Sequence, residues 1–231
     1  FPQQTEQHKH MVVRRRYWLY YALVFMSGAR RQIFVVFAGF LMVEKFAYSV
    51  SEIALLFLIN AGMNVLFAKK IGRLIHRIGE RRALLLEYSG LILVFCGYAL
   101  VEQAGLAAVL YVLDHLLFAM AITLKTYFQK IAAKEDIAST AGVSFSINHI
   151  AAVIIPALFG LLWLVSPALV FFSGAAMALV SLLLSQLIPH DPCNGSETIW
   201  SKARRSSPSI GTTEHFIKSG GNPFETYEQS F

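Results

Sequence analysis

Six blocks of nearly unbroken apolar sequence, each about 20 residues long, dictate what this chain can become. A helix of that length crosses a hydrocarbon core of about 30 Å. The blocks run from Tyr17 to about Val43, Val50 to about Ala68, Ala83 to Val101, Gly105 to Phe128, Ser139 to Leu162 and Pro167 to Ile188. One soluble core could not enclose them. Charged residues make up 15% of the 231-residue chain, against roughly 25% in an ordinary soluble domain. A lipid-facing span must satisfy its own backbone hydrogen bonds, so each block is expected to be helical. A membrane barrel would show shorter segments of strict alternation, and these do not alternate. The sequence therefore predicts an all-α membrane protein with six transmembrane helices. A basic leader (1–16) precedes the membrane domain (17–188), and a polar tail rich in Ser, Gly, Pro and Thr (189–231) reads as flexible.

Charge orients the spans. Lys9 and Arg14 to Arg16 precede the first; Lys69, Lys70, Arg73, Arg77, Arg81 and Arg82 lie at or between the second and third. Lys130 and Lys134 separate the fourth and fifth, and Lys202, Arg204, Arg205 and Lys218 lie in the tail. The other face carries Lys45 and the short turns EQAG (102–105) and LVSP (164–167). This one-sided bias places both termini and the tail in the cytoplasm. The net charge of +6 is thus a topology signal and does not call for nucleic acid. Cys96 lies inside a span and Cys193 in the tail, so a framework disulfide is not expected. Neither has metal-site company, and no cofactor is implied.

Between the second and third spans lies GRLIHRIGERR (72–82). A basic cytoplasmic turn held on an anionic leaflet would explain the charge. Gly72 and Gly79, bracketing Arg73, His76 and Arg77, point further, to a tight turn whose charges latch adjacent helices. This segment resembles the signature of the major facilitator superfamily, G-x-L-x-D-R-x-G-x-R-R, which recurs in weaker form between the eighth and ninth helices of its members. Gly72, Leu74, Arg77, Gly79, Arg81 and Arg82 match, while His76 occupies the aspartate position and cannot supply an anion. The resemblance makes this segment a gating loop, and the His76 departure suits the second copy. NHIAAVIIPALFG (148–160) is similar to the penultimate helix of many members, with Pro156 expected to bend it. A kink that merely improves packing is the plainer account. The resemblance covers about residues 14 to 189. With Phe1 rather than methionine at the start, it implies the C-terminal half of a twelve-helix transporter. An N-terminal six-helix half would then be a partner outside this chain.

FMSGARRQIFVVF (25–37) sets Arg30 and Arg31 deep in the first span. Thirteen residues separate Arg30 from Tyr17, about 20 Å of helix, where snorkelling reaches an interface poorly. Neighbours on a helix point about 100° apart, so one arginine is expected to face a cavity and the other to tie the helix to the bundle. An anionic substrate group suits a guanidinium fork; a structural pair with Asp114 in the fourth span is the alternative. Asp114 and His115 together form a candidate proton site, with His149 as a further titratable group. Glu87 is expected near the cytoplasmic edge, answering the arginines of the preceding loop. Asn60 and Asn64 share a face of the second span, and Thr140, Ser144 and Asn148 form a stripe on the fifth. Such stripes either glue helices or line a hydrophilic path, for which Asn60 and Asn148 are best placed.

No metal-ligand spacing, nucleophile elbow or phosphate loop is present, so an enzyme is not expected. The resemblance implies a secondary active transporter, proton-coupled, moving a small organic solute by alternating access. Its partners would be that solute, protons and membrane lipid. The setting would be a cell membrane, the inner membrane in a bacterium. A non-transporting scaffold or receptor-like subunit on the same fold stays open as the alternative.

Overall fold

The computed structural model describes residues 13–201. It contains six helices long and apolar enough to cross a membrane: α1 (Arg15–Glu44), α2 (Val50–Ile78), α3 (Glu80–Leu100), α4 (Ala104–Ile131), α5 (Lys134–Val165) and α6 (Pro167–Ser185). Among the described residues no strand forms beyond an isolated bridge between Cys193 and Ser196. The leader residues 1–12, including Lys9, and the tail from Lys202 onward, including Arg204, Arg205 and Lys218, lie outside the described residues.

Short turns make sequence neighbours antiparallel, so alternate helices run the same way. The closest packing joins α3 to α6 and α1 to α5. On α3 and α6, the Tyr98 and Phe171 rings stack with centroids 5.1 Å apart. One turn on, Phe95 fills the space above Gly174, where an added Cβ would lie 3.0 Å from the ring. The parallel helices α1 and α5 meet in register. Tyr17 donates to Asp136 at 3.0 Å, Tyr21 lies 3.5 Å from the Thr140 hydroxyl, and Ser144 donates to Tyr20 at 3.1 Å. Nearer the far end the Phe37 and Trp163 rings stack at 5.5 Å. Thr140 and Ser144 are therefore helix–helix glue, and their stripe lines no path at those two positions.

The helix bounds differ from the sequence reading chiefly at the basic end of the bundle. α2 continues through Ile78, so the expected gating loop is mostly helix. Ile71 and Ile75 bury against Ala83 and Met120 and hold that extension to the bundle. The break is a single residue, Gly79, whose φ of +83° suits a residue without a Cβ. Gly72 sits inside the helix with open space beside it.

Ion pairs knit the basic end of the bundle. Arg14 meets Asp136 at 2.7 Å, and Lys130 meets Glu80 at 2.7 Å. The start of the tail belongs to this layer: Ser196, Glu197 and Thr198 are buried. Residues 189–201 form a strap that the flexible-tail expectation missed, because its polar side chains bond inward. Arg16 Nε donates to Glu197 at 3.0 Å, its Nη2 reaches Asn194 at 2.5 Å, and Tyr127 donates to the Glu197 carbonyl at 2.6 Å. At the opposite end Lys45 donates to the Val101 carbonyl at 2.6 Å and Trp163 Nε1 to Glu44 at 2.8 Å.

Burial works against the charged form of Glu197, but its own amide, the Arg16 guanidinium and the Gly195 amide outweigh it. Together they hold the carboxyl below its ordinary value of 4.5. A carboxyl lowered in the folded state stabilises above its unfolded value and loses that contribution as pH falls through the folded one. Thermal melting of the detergent-solubilised protein should therefore show Glu197→Gln less stable than wild type at neutral pH. The gap should close on acidification below the ordinary glutamate range.

Candidate functional site

A buried arginine organises the interior. Arg30 is 0% exposed and points from α1 into the bundle, towards α3, α4 and α6. Its Nη1 donates to the Ser181 hydroxyl and to the Met177 carbonyl at 3.5 Å. Its guanidinium carbon lies 4.6 Å from the centroid of the Tyr88 ring, a cation–π contact in a water-excluded setting. Two carboxyls lie in its field: Glu87 on α3 and Asp114 on α4, each 0% exposed and each acted on electrostatically by Arg30. Neither carboxyl has a hydrogen-bond partner among the described residues, nor do Arg30 Nε and Nη2. Tyr98 and Tyr111 complete the surroundings, each interacting electrostatically with Asp114.

This geometry corrects the expectation for Glu87. It does not sit at the basic end beside loop arginines; the acid that meets a cation there, Lys130, is Glu80. α3 begins at Glu80, so Glu87 lies two turns inside. The expected Arg30–Asp114 pair exists as an electrostatic interaction without a hydrogen bond.

Arg31 goes the other way and is exposed. It acts electrostatically on His115, which is partly buried on α4. Asn64, Lys125, Asn148 and His149 are exposed as well, although all lie within spans. The two asparagines of α2 divide: Asn60 is 1% exposed with neither amide atom bonded, and Asn64 turns outward. Asn148 donates back to the Ser144 carbonyl at 3.0 Å and lies against Gly28 of α1. His149 Nδ1 lies 3.0 Å from the Phe145 carbonyl.

The outward polar groups come from α1, α2, α4 and α5. Within α3 and α6 the exposed mid-span positions are apolar, such as Leu93 and Phe172, or serines bonded to their own helix. Ser89 donates to the Leu85 carbonyl, and Ser173 to Leu169 at 2.8 Å. Polar groups at membrane depth are costly against lipid and belong against water or protein. The exposed polar groups at membrane depth, Arg31 among them, thus come from α1, α2, α4 and α5, the polar side of the bundle, although these helices also expose apolar residues such as Leu58 and Val153.

Arg73, His76, Arg77 and Arg82 of the helical signature segment are exposed, and Arg81 is partly so. Pro156 lies within α5, which continues past it to Val165. It lines an apolar crevice of about 320 Å³ with Val36, Phe37, Phe40, Gly160, Trp163 and Leu164. Among the described residues no group of three or more His, Cys, Asp or Glu gathers that could hold a metal.

Two irregular turns adjoin the buried charges: a π-helical stretch Ile33–Ala38 in α1 and a 3-10 turn Ala119–Ala121 in α4. Such interruptions frequently mark functional positions. Residue pattern gave no sign of either. Removing a buried cation leaves its carboxyls uncompensated, at a cost of about 3–5 kcal/mol. Arg30→Ala should therefore lower the melting temperature sharply, while Arg31→Ala, at an exposed position, should stay within about 0.5 kcal/mol of wild type. Melting curves of both variants in one detergent check the contrast.

Comparison with known proteins adds one finding. The profile of the Major Facilitator Superfamily matches residues 2–156. No curated protein and no solved structure matches the chain. Six apolar helices, a one-sided basic end and a profile match over most of the sequence lead to one assignment: the chain is a multi-pass membrane protein of the major facilitator superfamily of transporters.

Proposed function

We propose that the chain contributes to a proton-coupled secondary transporter that moves a small organic solute by alternating access. The observation that carries this reading is Arg31: an exposed guanidinium inside a span, without an ion pair among the described residues, on the polar side of the bundle. A guanidinium at such a place is costly unless it faces water or an anion. Its planar fork suits a carboxylate or phosphate on the solute. His115, which interacts electrostatically with it, and the exposed Asn64, Asn148 and His149 of the other spans supply hydrogen-bonding groups. Asp114 is the proton site and Arg30 its counter-charge: protonation of Asp114 weakens its hold on Arg30 and frees the bundle to change shape. An N-terminal six-helix half would close the polar side into a cavity. The exposed cations of α2 and the start of α3 would rest among lipid headgroups at the cytoplasmic surface of a cell membrane, the inner membrane in a bacterium.

The non-transporting alternative has one observation on its side. Arg30 and both carboxyls are enclosed by this chain alone, so their structural role needs no solute. Uptake by proteoliposomes of the full-length protein, across a panel of small organic solutes with and without a pH gradient, separates the readings. Accumulation that collapses with the gradient supports coupled transport, and no movement of any solute favours a scaffold. Charge-assisted hydrogen bonds contribute about 1.5–3 kcal/mol. Arg31→Ala should thus cut uptake of an anionic solute at least roughly tenfold with no loss of melting temperature.

A further inference from the structure

We infer that Glu87 is a second seat for the Arg30 guanidinium, so that Glu87 and Asp114 share one arginine and one proton. The inference rests on the proton-coupled reading only for what that proton does in transport.

The arginine is half committed. Nη1 is anchored to Ser181 and Met177 of α6, while Nε and Nη2 are buried and unbonded among the described residues. Guanidinium carries five donors in a fixed fork, so the free edge can close on a carboxyl as a unit. Two such carboxyls are in its field, on different helices, and each lacks a donor among the described residues. The Tyr88 ring under the guanidinium holds the cation by its face. A face attracts without fixing one direction of hydrogen bonding, so the cation can turn from one carboxyl towards the other.

Charge balance then requires the proton. The groups facing the pair are Arg30 from α1, Tyr88 and Tyr98 from α3, Tyr111 from α4 and the uncharged Ser181 from α6. Arg31 and His115 interact with each other on the polar side. One buried cation faces two buried acids. The acid that holds the guanidinium is a carboxylate. The other takes a proton from water, forming an O–H bond as the hydronium O–H breaks, and stays neutral. When the arginine changes seats that O–H breaks and the proton returns to water, while the arginine keeps all its own protons. The π-helical turn of α1 begins three residues beyond Arg30, and the 3-10 turn of α4 five beyond Asp114, so both helices carry a deformable turn next to a seat.

Infrared difference spectra of the purified full-length protein, with the proton as probe, test the sharing directly. Wild type should retain one buried protonated-carboxyl C=O band at neutral pH. Glu87→Gln and Asp114→Asn should each lose it, because the remaining acid then has Arg30 to itself. A wild type without that band, or a band that survives Glu87→Gln unchanged, overturns the proposal. Where Glu87→Gln does not accumulate in the membrane, Glu87→Asp serves. It should shift the band or its pH midpoint, and an unchanged band and midpoint overturn the proposal. A shared proton in a protein whose uptake ignores the pH gradient would leave the seat standing and retire the coupling reading.

Discussion

A single buried guanidinium sets the terms for the rest of this bundle. Charge enclosed in a low-dielectric interior must be met by other charge or by oriented dipoles. Arg30 draws one such group from nearly every helix packed around it: Glu87 and Tyr88 from α3, Asp114 from α4, the Ser181 hydroxyl from α6. Apolar contacts between helices have little preference for one register in lipid, because lipid tails are as apolar as leucine. The arginine does have one. A slip of α6 by one turn would carry Ser181 away from Nη1, and a rotation of α3 would take the Tyr88 ring from beneath the cation.

The basic end of the bundle repeats the principle with more exposed pairs. Arg14 and Arg16 reach Asp136 and Glu197, and Lys130 reaches Glu80. These contacts tie the start of α1 to the start of α5 and to the strap after α6. At the opposite end, single hydrogen bonds from Lys45, Tyr48 and Trp163 hold the turns. The bundle is thus laced by ion pairs on one side of the membrane and by neutral or singly charged hydrogen bonds on the other.

Apolar length was enough to place six spans, because the thickness of the hydrocarbon core sets it. What depended on neighbours was not legible. The third apolar block begins at Ala83, which makes Glu87 marginal in the sequence, whereas the helix starts at Glu80 and carries the carboxyl to the level of Arg30. Gly72 and Gly79 read as two ends of a loop, but only Gly79 breaks the chain, since Ile71 and Ile75 have a buried surface to hold the helix on. The strap from residue 189 to 201 is polar at most positions, and composition cannot separate polar residues that bond inward from those that face water. Thr140, Ser144 and Asn148 formed one stripe on paper. In the fold the first two meet tyrosines of α1 and the third is exposed on the polar side.

Two adjacent arginines in one oily segment can now be understood as a division of labour that helix geometry enforces. At about 100° per residue, a helix that aims Arg30 at Ser181 cannot aim Arg31 there too. Arg31 is exposed because Arg30 is buried. The π-helical turn begins at Ile33, immediately past the pair and Gln32, and its extra residue turns the following face relative to a regular helix. Phe34 then packs on Tyr111, 4.9 Å between centroids, and Phe37 on Trp163. The shift in helical register lets one helix satisfy a buried charge before the π-helical turn and an aromatic seam after it. A deformable turn beside a charge with two possible partners is the element of this half-bundle best suited to having two stable arrangements.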